Sequence, residues 1–384
     1  MMNKKILNGI TWAHSRGITP LLATAQRFSE LHPEVEIVWK KRSLQEFADF
    51  PIEDLTKNYD LLVIDHPWVG CAAEKGCVLP LNEYMTSAYL DNQSNNSVGN
   101  SFNSYLYAGH QWAIPIDAAT PVSSYRKDLL DKYDQLLPQS WEQVIAMAKM
   151  GKVAIPGVPV DLLMYFYMFC LACGEEPFLN EEIVVTGQTG LQALTAMKEL
   201  WSLVDPKMFH CNPITIAELM TTTDDFFYCP FAYGYSNYAR VGFAKNILHY
   251  STLPSFSGTA FRSTLGGTGL SVSAFSHNKE TALQFSEWVA SGDIQSTIYV
   301  EHGGQPGHLS AWVSDAVNKN CNNFFLNTLP TLKDAYTRPR YYGYLYFQDR
   351  AGLPIQQFLM GETNEKHTLA AINNIFKESK NFHP

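Results

Sequence analysis

The sequence predicts an α/β protein built from two lobes, and three observations lead to this fold class. The chain has 384 residues, while a typical domain has about 100–200. Short strand-like segments alternate with segments whose apolar residues have helical spacing. Hydrophobic residues make up 46% of the chain and charged residues only 17%, a balance that excludes disorder and supplies material for buried cores.

The first 65 residues carry the pattern strand, helix, strand, helix, strand. These predicted elements are residues 6–12, 20–31, 36–39, 43–47 and 60–64. Such an order predicts a doubly wound lobe, in which ligands bind beyond the carboxyl ends of the strands. The loops that follow the three strands are therefore candidate binding loops: His14–Gly17, Lys41–Ser43 and Asp65–Trp68.

The rest of the chain predicts a crossing into a second lobe and a return. Residues 91–104 are polar and turn-rich and predict a surface loop, and residues 318–334 predict another. The remaining segments predict extended chain or helix from their spacing. Extended segments are predicted at 112–121, 122–125, 226–235 and 265–275. Helices are predicted at 141–149, 161–173, 190–204, 279–290 with Asn278 as N-cap, 338–347 and 368–377.

Composition and motifs exclude several classes of function. The net charge of −9 argues against nucleic-acid binding. The sequence contains no apolar run of about 18 residues, the length that would predict a transmembrane helix. The sequences GxSxG, GxGxxG, HExxH and Walker A are absent, so we expect no cofactor. The seven cysteines are scattered and predict reduced core residues. Cys170 and Cys173 have CxxC spacing, but their apolar helix favours packing over a metal or redox site.

Five segments in order resemble one known family. They are Leu31–Pro33 with Val35–Trp39, YDLLVID at 59–65, WAIPIDAATPVSSYRKDLLDKY at 112–133, CPFAYGYSNY with YSTLPSF at 229–256, and the Gly-rich strand and helix at 265–290. Together they resemble the family 1 extracellular solute-binding proteins of ABC transporters, the group that contains maltose-binding protein.

The resemblance implies a periplasmic-binding-protein-like type II fold. Each lobe is then a mixed sheet flanked by helices, with a hinge and a central cleft that holds a small ligand. The implied lobes are 1–115 with 265–308, and 116–264 with 309–384. The ligand is expected to be a carbohydrate or a sugar acid, the partner an ABC permease, and the protein a monomer.

Fourteen residues are candidate ligand contacts. Aromatic faces stack on sugar C–H surfaces, carboxylates and amides bind hydroxyl groups, and arginines bind anionic groups. The candidates are Trp12, His14, Arg16, Arg42, Asp65, His66, Trp68, Asp117, Tyr233, Tyr235, Asn237, Arg338, Arg340 and Tyr342. The resemblance contributes Asp117, the aromatic block 233–237 and the segment around Tyr342. Structural alternatives stay open: core packing for the aromatic residues, a turn cap for Asp65 or for Asp117, and separate ion pairs for the arginines.

A second function stays open at this point. His66 and Asp65 could serve as acid and base in a cytoplasmic enzyme that acts on an anionic small molecule on the same scaffold. The first 17 residues hold no apolar leader segment, which predicts a cytoplasmic protein if Met1 is the native start. The family resemblance instead implies a periplasmic or extracytoplasmic location.

Overall fold

The computed structural model describes residues 4–43 and 52–382. Its strands are β1 Lys5–Trp12, β2 Val35–Arg42, β3 Leu61–Ile64, β4 Leu106–Tyr107, β5 His110–Gln111, β6 Ile114–Ala119, β7 Pro121–Tyr125, β8 Tyr228–Tyr233, β9 His249–Ser251, β10 Ser255–Phe256, β11 Thr259–Ala260 and β12 Gly266–Val272. Its α-helices are α1 Ser15–Leu31, α2 Ile52–Thr56, α3 Val69–Lys75, α4 Ser87–Asn96, α5 Ser101–Ser104, α6 Lys127–Lys132, α7 Trp141–Lys149, α8 Pro159–Ala172, α9 Gly187–Trp201, α10 Pro213–Thr222, α11 Lys279–Val289, α12 Gly292–Ile294, α13 Leu309–Trp312, α14 Asp315–Lys319, α15 Phe324–Lys333, α16 Tyr344–Met360 and α17 Glu365–Lys380.

The described chain forms two compact units. Unit 1 comprises Met1–Ala119, Leu265–Asn320 and Arg340–Tyr342, and unit 2 comprises Thr120–Thr264, Cys321–Pro339 and Gly343–Pro384. The chain thus passes between units after Ala119 and after Asn320, where the sequence prediction has 115 and 308. The three-residue segment of unit 1 at 340–342 interrupts unit 2 and has no counterpart in the predicted boundaries.

Unit 1 is organised around a five-stranded mixed sheet in the order β2-β1-β3-β12-β6. Strand β1 is parallel to β2 and to β3, while β12 is antiparallel to both of its neighbours. Every residue of β3 is buried, as its uninterrupted apolar sequence LLVI predicts for a central strand. The register pairs Trp12 with Arg42, so β1 and β2 end side by side.

Unit 2 contains a three-stranded antiparallel sheet in the order β8-β7-β9. Val153 adds a parallel bridge to Tyr228 of β8, so the chain before α8 runs beside that strand in the same direction. Helix α8 is the apolar centre of the unit: each residue from Leu162 to Cys170 is at most 1% exposed. The Tyr165 hydroxyl group donates to the carbonyl of Phe231 at 2.9 Å and ties α8 to β8.

Two segments that the sequence predicts as loops are helical. Residues 91–96 and 101–104 fall within α4 and α5. The Thr86 side chain caps α4 by accepting from the Tyr89 N–H, and the Gln93 side chain donates to the Ala290 carbonyl. Residues 318–334 fall largely within α14 and α15, because Phe324 and Phe325 are buried and anchor the second helix. Polar composition hides α4, which the Thr86 cap and the buried Gln93 stabilise.

Other boundaries shift by a few residues. Helix α1 begins at Ser15 rather than 20 because His14 caps it, and the aromatic segment 338–347 becomes helical only from Tyr344. Asn278 holds the N-cap position of α11 without a capping side-chain hydrogen bond. The predicted helix at 43–47 lies outside the described residues. Across the described part of the chain, no helix combines the length and apolar character needed to span a bilayer.

Candidate functional site

The three predicted binding loops lie at one edge of the unit 1 sheet, which we call the strand-end edge. It consists of the residues that end or follow β1, β2 and β3. Trp12 ends β1, Arg42 ends β2, and Asp65 follows β3. Because the three strands are parallel, their carboxyl ends reach the same edge, as the sequence analysis expects.

His14 fixes the start of α1 at this edge. Its Nδ1 accepts a hydrogen bond from the Arg16 N–H at 3.0 Å, and its ring stacks on Trp12 with centroids 5.6 Å apart and planes inclined by 11°. Accepting at Nδ1 requires a neutral ring. Burial, together with the nearby Arg16 charge, lowers the pKa of His14 to about 4. A Cβ on Gly17 would come within 2.6 Å of the Trp12 ring, so this residue must be small.

Arg16 and Asp117 form a buried ion pair within unit 1. Nε of Arg16 donates to Oδ2 of Asp117 at 2.8 Å, and Nη2 donates to Oδ1. The two residues are 4% and 3% exposed. Burial raises the pKa of Asp117, and the Arg16 guanidinium acts in the opposite direction. Two predicted ligand contacts therefore neutralise each other, and the Arg16 guanidinium also lies 5.6 Å from the centroid of the Trp12 ring.

Asp65 caps the short 3₁₀ helix His66–Trp68. Its Oδ1 accepts the His66 N–H at 2.8 Å and lies 3.2 Å from Nδ1 of the same histidine. His66 is 1% exposed and Trp68 is 7% exposed, so both side chains are largely enclosed in unit 1. This geometry is the turn cap that the sequence leaves open as an alternative for Asp65.

Arg340 and Tyr342 belong to the short segment of unit 1 that returns from unit 2. Nη1 of Arg340 donates to the carbonyls of Asn103, Ser104 and Leu106 at 2.8, 3.2 and 2.7 Å. A Cβ on Gly70 would lie 1.8 Å from the Arg340 carbonyl oxygen, so α3 approaches this segment closely. The geometry favours an anchoring role for Arg340 over the predicted ligand contact.

The unit 2 candidates follow β8, except for Arg338. The Tyr233 hydroxyl group lies 3.3 Å from the Thr264 hydroxyl group, and Tyr235 is 6% exposed with its ring against Tyr238. Asn237 lies in the 3₁₀ helix Ser236–Ala239 and is 2% exposed. Nη1 of the buried Arg338 donates to Oε1 of Gln348 at 2.7 Å. Tyr233 thus ends β8, and Tyr235 and Asn237 follow it along the chain.

Sequence analysis missed one buried acidic residue of unit 2. Asp161 lies in the first turn of α8, is 4% exposed, and its Oδ2 has no hydrogen-bond partner among the described residues. Burial raises its pKa to about 8. The available signal was a single charged residue directly before a run of twelve apolar or aromatic residues, 162–173. No group of three or more His, Cys, Asp or Glu residues in the described part of the chain could hold a metal ion.

Two α/β units with polar and aromatic side chains after the carboxyl ends of their strands are typical of proteins that bind small molecules. A family model described as bacterial extracellular solute-binding protein matches residues 14–295. The chain belongs to this family. Membership confirms the predicted recognition and favours the solute-binding function over the enzyme alternative.

Similar structures confirm the predicted two-lobed type II fold. The maltose-bound MalE3 of T. maritima is 18% identical, covers 97% of this chain and 99% of its own, and has a TM-score of 0.85. A ribitol-bound ABC transporter solute-binding protein of Agrobacterium radiobacter K84 is 19% identical, covers 99% and 100%, and has a TM-score of 0.84. At these identities the likeness concerns the fold.

A curated relative adds a shorter match. The maltotriose-binding protein of Pyrococcus abyssi is 28% identical over 108 residues, which is 28% of this chain. The match spans about a quarter of that relative, 23% of its length.

Proposed function

We propose that the protein binds an uncharged carbohydrate and delivers it to an ABC permease. Family membership supports solute binding, and the related structures carry maltose and ribitol, both of them uncharged polyhydroxylated compounds. Extracytoplasmic location, a permease partner and a monomeric state are carried over from the family.

The Arg16–Asp117 ion pair is the observation that favours an uncharged ligand over a sugar acid. An arginine that binds a carboxylate ligand needs its guanidinium fork for that ligand. In unit 1, the Arg16 fork is already bonded to both carboxylate oxygens of Asp117. Separating such a buried pair leaves an uncompensated charge, so a ligand acid gains little by replacing Asp117.

Two further candidate arginines are also engaged within their own units. Arg340 holds three backbone carbonyls, and Arg338 bonds Gln348. Outside the candidate set, Arg126 bonds Asp128 and Asp224 at 2.7 and 2.8 Å. Arg16, Arg338 and Arg340, three of the four candidate arginines, thus support local structure.

Polar groups that suit hydroxyl recognition remain at the strand ends of each unit. We propose that Asp65 and His14 in unit 1, and Tyr233, Tyr235 and Asn237 in unit 2, contribute contacts to the sugar. The enclosed Trp12 and Trp68 then act mainly as the scaffold on which these loops are held.

A thermal-shift panel of matched neutral and acidic compounds tests this proposal. Ribitol and ribonate form one pair and differ by one oxidised carbon. Maltose and maltobionate form another, in which the oxidation also opens the reducing ring. We expect a neutral member to raise the melting temperature and its acid to have no effect. Stabilisation by the acids alone would contradict the proposal. Mass spectrometry of the recovered compound checks that it is returned unchanged, as binding requires.

A further inference from the structure

Asp161 is a buried carboxyl group whose placement the fold of unit 2 does not explain. The residue is 4% exposed, and its Oδ2 has no hydrogen-bond partner among the described residues. Burying a polar group without a partner costs free energy, and such atoms are uncommon in native proteins. A hydrophobic residue at this position would continue the apolar face of α8 without that cost.

Helix capping does not account for the carboxyl group. Asp161 lies in the first turn of α8, where a side-chain oxygen could accept a backbone N–H of that turn. The N-cap residue is Val158, which offers no capping side chain, and the Asp161 carboxyl group makes no such bond within the described chain. Only its backbone takes part in the turn, donating to the Val158 carbonyl at 3.0 Å.

In the sheet of unit 2, the segment that leads into Asp161 runs beside β8, the strand that leads into three predicted ligand contacts. Val153 and Tyr228 form a parallel bridge, and the Ala154 N–H donates to the Tyr228 carbonyl at 3.0 Å. The two chain segments therefore run in the same direction. The first leads into α8 and Asp161, and the second leads from β8 into residues 233–237.

Asn237, which follows β8, supplies a second buried polar atom of unit 2. Its Oδ1 has no hydrogen-bond partner in the described part of the chain, and the residue is 2% exposed. Two polar groups of this kind after neighbouring parallel segments indicate a place where hydroxyl groups of a ligand complete the hydrogen bonds.

We propose that Asp161 binds a hydroxyl group of the solute and is a specificity-determining residue of unit 2. The inference rests on the proposed carbohydrate function and extends it to a residue that sequence analysis missed. Since burial raises the pKa of Asp161 to about 8, the group is a neutral acid near pH 7. A neutral acid both donates and accepts a hydrogen bond, which suits a hydroxyl partner and adds no charge to the site.

Three variants of the full chain test the proposal by calorimetric titration with the tightest-binding sugar of the panel. Asp161→Leu removes both hydrogen-bonding functions and should weaken binding about 100-fold, because it offers the hydroxyl group no partner. Asp161→Asn keeps a donor and an acceptor and should bind within about tenfold of the unsubstituted protein. The matched control is Asp225→Leu, an exposed aspartate of the same unit, which should bind normally.

Melting temperature separates this role from a structural one. Asp161→Leu should melt at or above the temperature of the unsubstituted protein, since leucine suits the apolar helix. Unchanged affinity in Asp161→Leu, or a loss of folding in that variant, would overturn the proposal. If the unsubstituted protein binds no sugar of the panel, the carbohydrate function fails and this inference fails with it. If it binds and Asp161→Leu binds equally, this inference alone fails.

Discussion

Arg16 and Asp117 lie 101 residues apart in the sequence and form a two-bonded, buried ion pair in unit 1. The pair joins the first turn of α1 to β6, the last strand before the chain passes into unit 2. It fixes Arg16 against Trp12 at the strand-end edge and neutralises the charge that first suggested an anionic ligand. Several measurable consequences depend on this arrangement.

Loss of Arg16 should strongly destabilise the protein. Arg16→Met leaves Asp117 buried without its counter-ion and should lower the free energy of unfolding by about 3–5 kcal/mol in urea titrations. Arg27→Met is the control, because Arg27 pairs with Glu30 on the exposed face of the same helix and should change stability by less than about 1 kcal/mol. Equal, small effects of the two substitutions would contradict a structural role for the pair.

Low pH should lower the free energy of unfolding because His14 becomes protonated. The folded protein holds the pKa of His14 at about 4, below the ordinary value of 6.5, so the unfolded chain binds the extra proton more readily. Stability from this group is present above pH 6.5 and is lost as the pH falls toward 4, by on the order of 2 kcal/mol. His14→Asn retains a capping side chain and should reduce the pH dependence of urea unfolding in this window. His277→Asn, at an exposed histidine of the same unit, should leave it unchanged.

Asp161 should make the free energy of unfolding fall as the pH rises, opposite to the effect of His14. Its pKa in the folded protein, about 8, lies above the ordinary value of 3.8, and burial among apolar residues is the cause. The neighbouring ionisable groups that sense its charge are Tyr165 on the same helix and Cys229 on β8. Stability from this group is fully present below pH 4 and is lost as the pH rises toward 8.

The difference in the free energy of unfolding between Asp161→Asn and the unsubstituted protein, compared at pH 4 and pH 7, measures this contribution. At pH 7 the substitution should raise the free energy of unfolding by on the order of 2 kcal/mol, and the gain should shrink near pH 4. Asp225→Asn serves as the exposed control. A stability gain that is equal at pH 4 and pH 7 would show that Asp161 does not titrate with a raised pKa.

Arg340 should act on stability and not on ligand binding. Its guanidinium donates to three backbone carbonyls that end α5 and begin β4, so Arg340→Ala should lower the free energy of unfolding by about 1–3 kcal/mol. The affinity for the best sugar, measured below the melting transition, should stay within about twofold. A selective loss of affinity with unchanged unfolding would restore the ligand contact predicted from the sequence.

Local patterns in the sequence were sufficient to predict much of the fold. Apolar spacing predicted β1, β3, α7 and α11 closely, because one buried face fixes the period of each element. The order of strands and helices also predicted that three loops share the strand-end edge. Short helices rich in Asn and Ser, such as α4, were missed because their caps and single buried contacts leave almost no periodic signal.

The sequence does not predict which side chains form ion pairs or hydrogen bonds with each other. Arg16 and Asp117 are both candidate ligand contacts from the sequence, yet nothing local shows that residues 101 positions apart neutralise each other. Likewise, the sequence shows Asp161 at the start of an apolar helix but not that its Oδ2 lacks a partner among the described residues. Both facts depend on tertiary packing, and both change which chemistry is expected of the ligand.

The salt dependence of ligand affinity tests the central claim most directly. The full chain is titrated calorimetrically with the tightest-binding sugar of the panel, and with its acid counterpart, at about 0.05 M and about 0.5 M NaCl. An uncharged carbohydrate should bind with a Kd that changes less than about twofold between the two salt concentrations, since no charge of the ligand is screened. Preferential binding of the acid, with an affinity that falls about tenfold or more in high salt, would contradict this account. It would show that arginine side chains bind an anionic ligand.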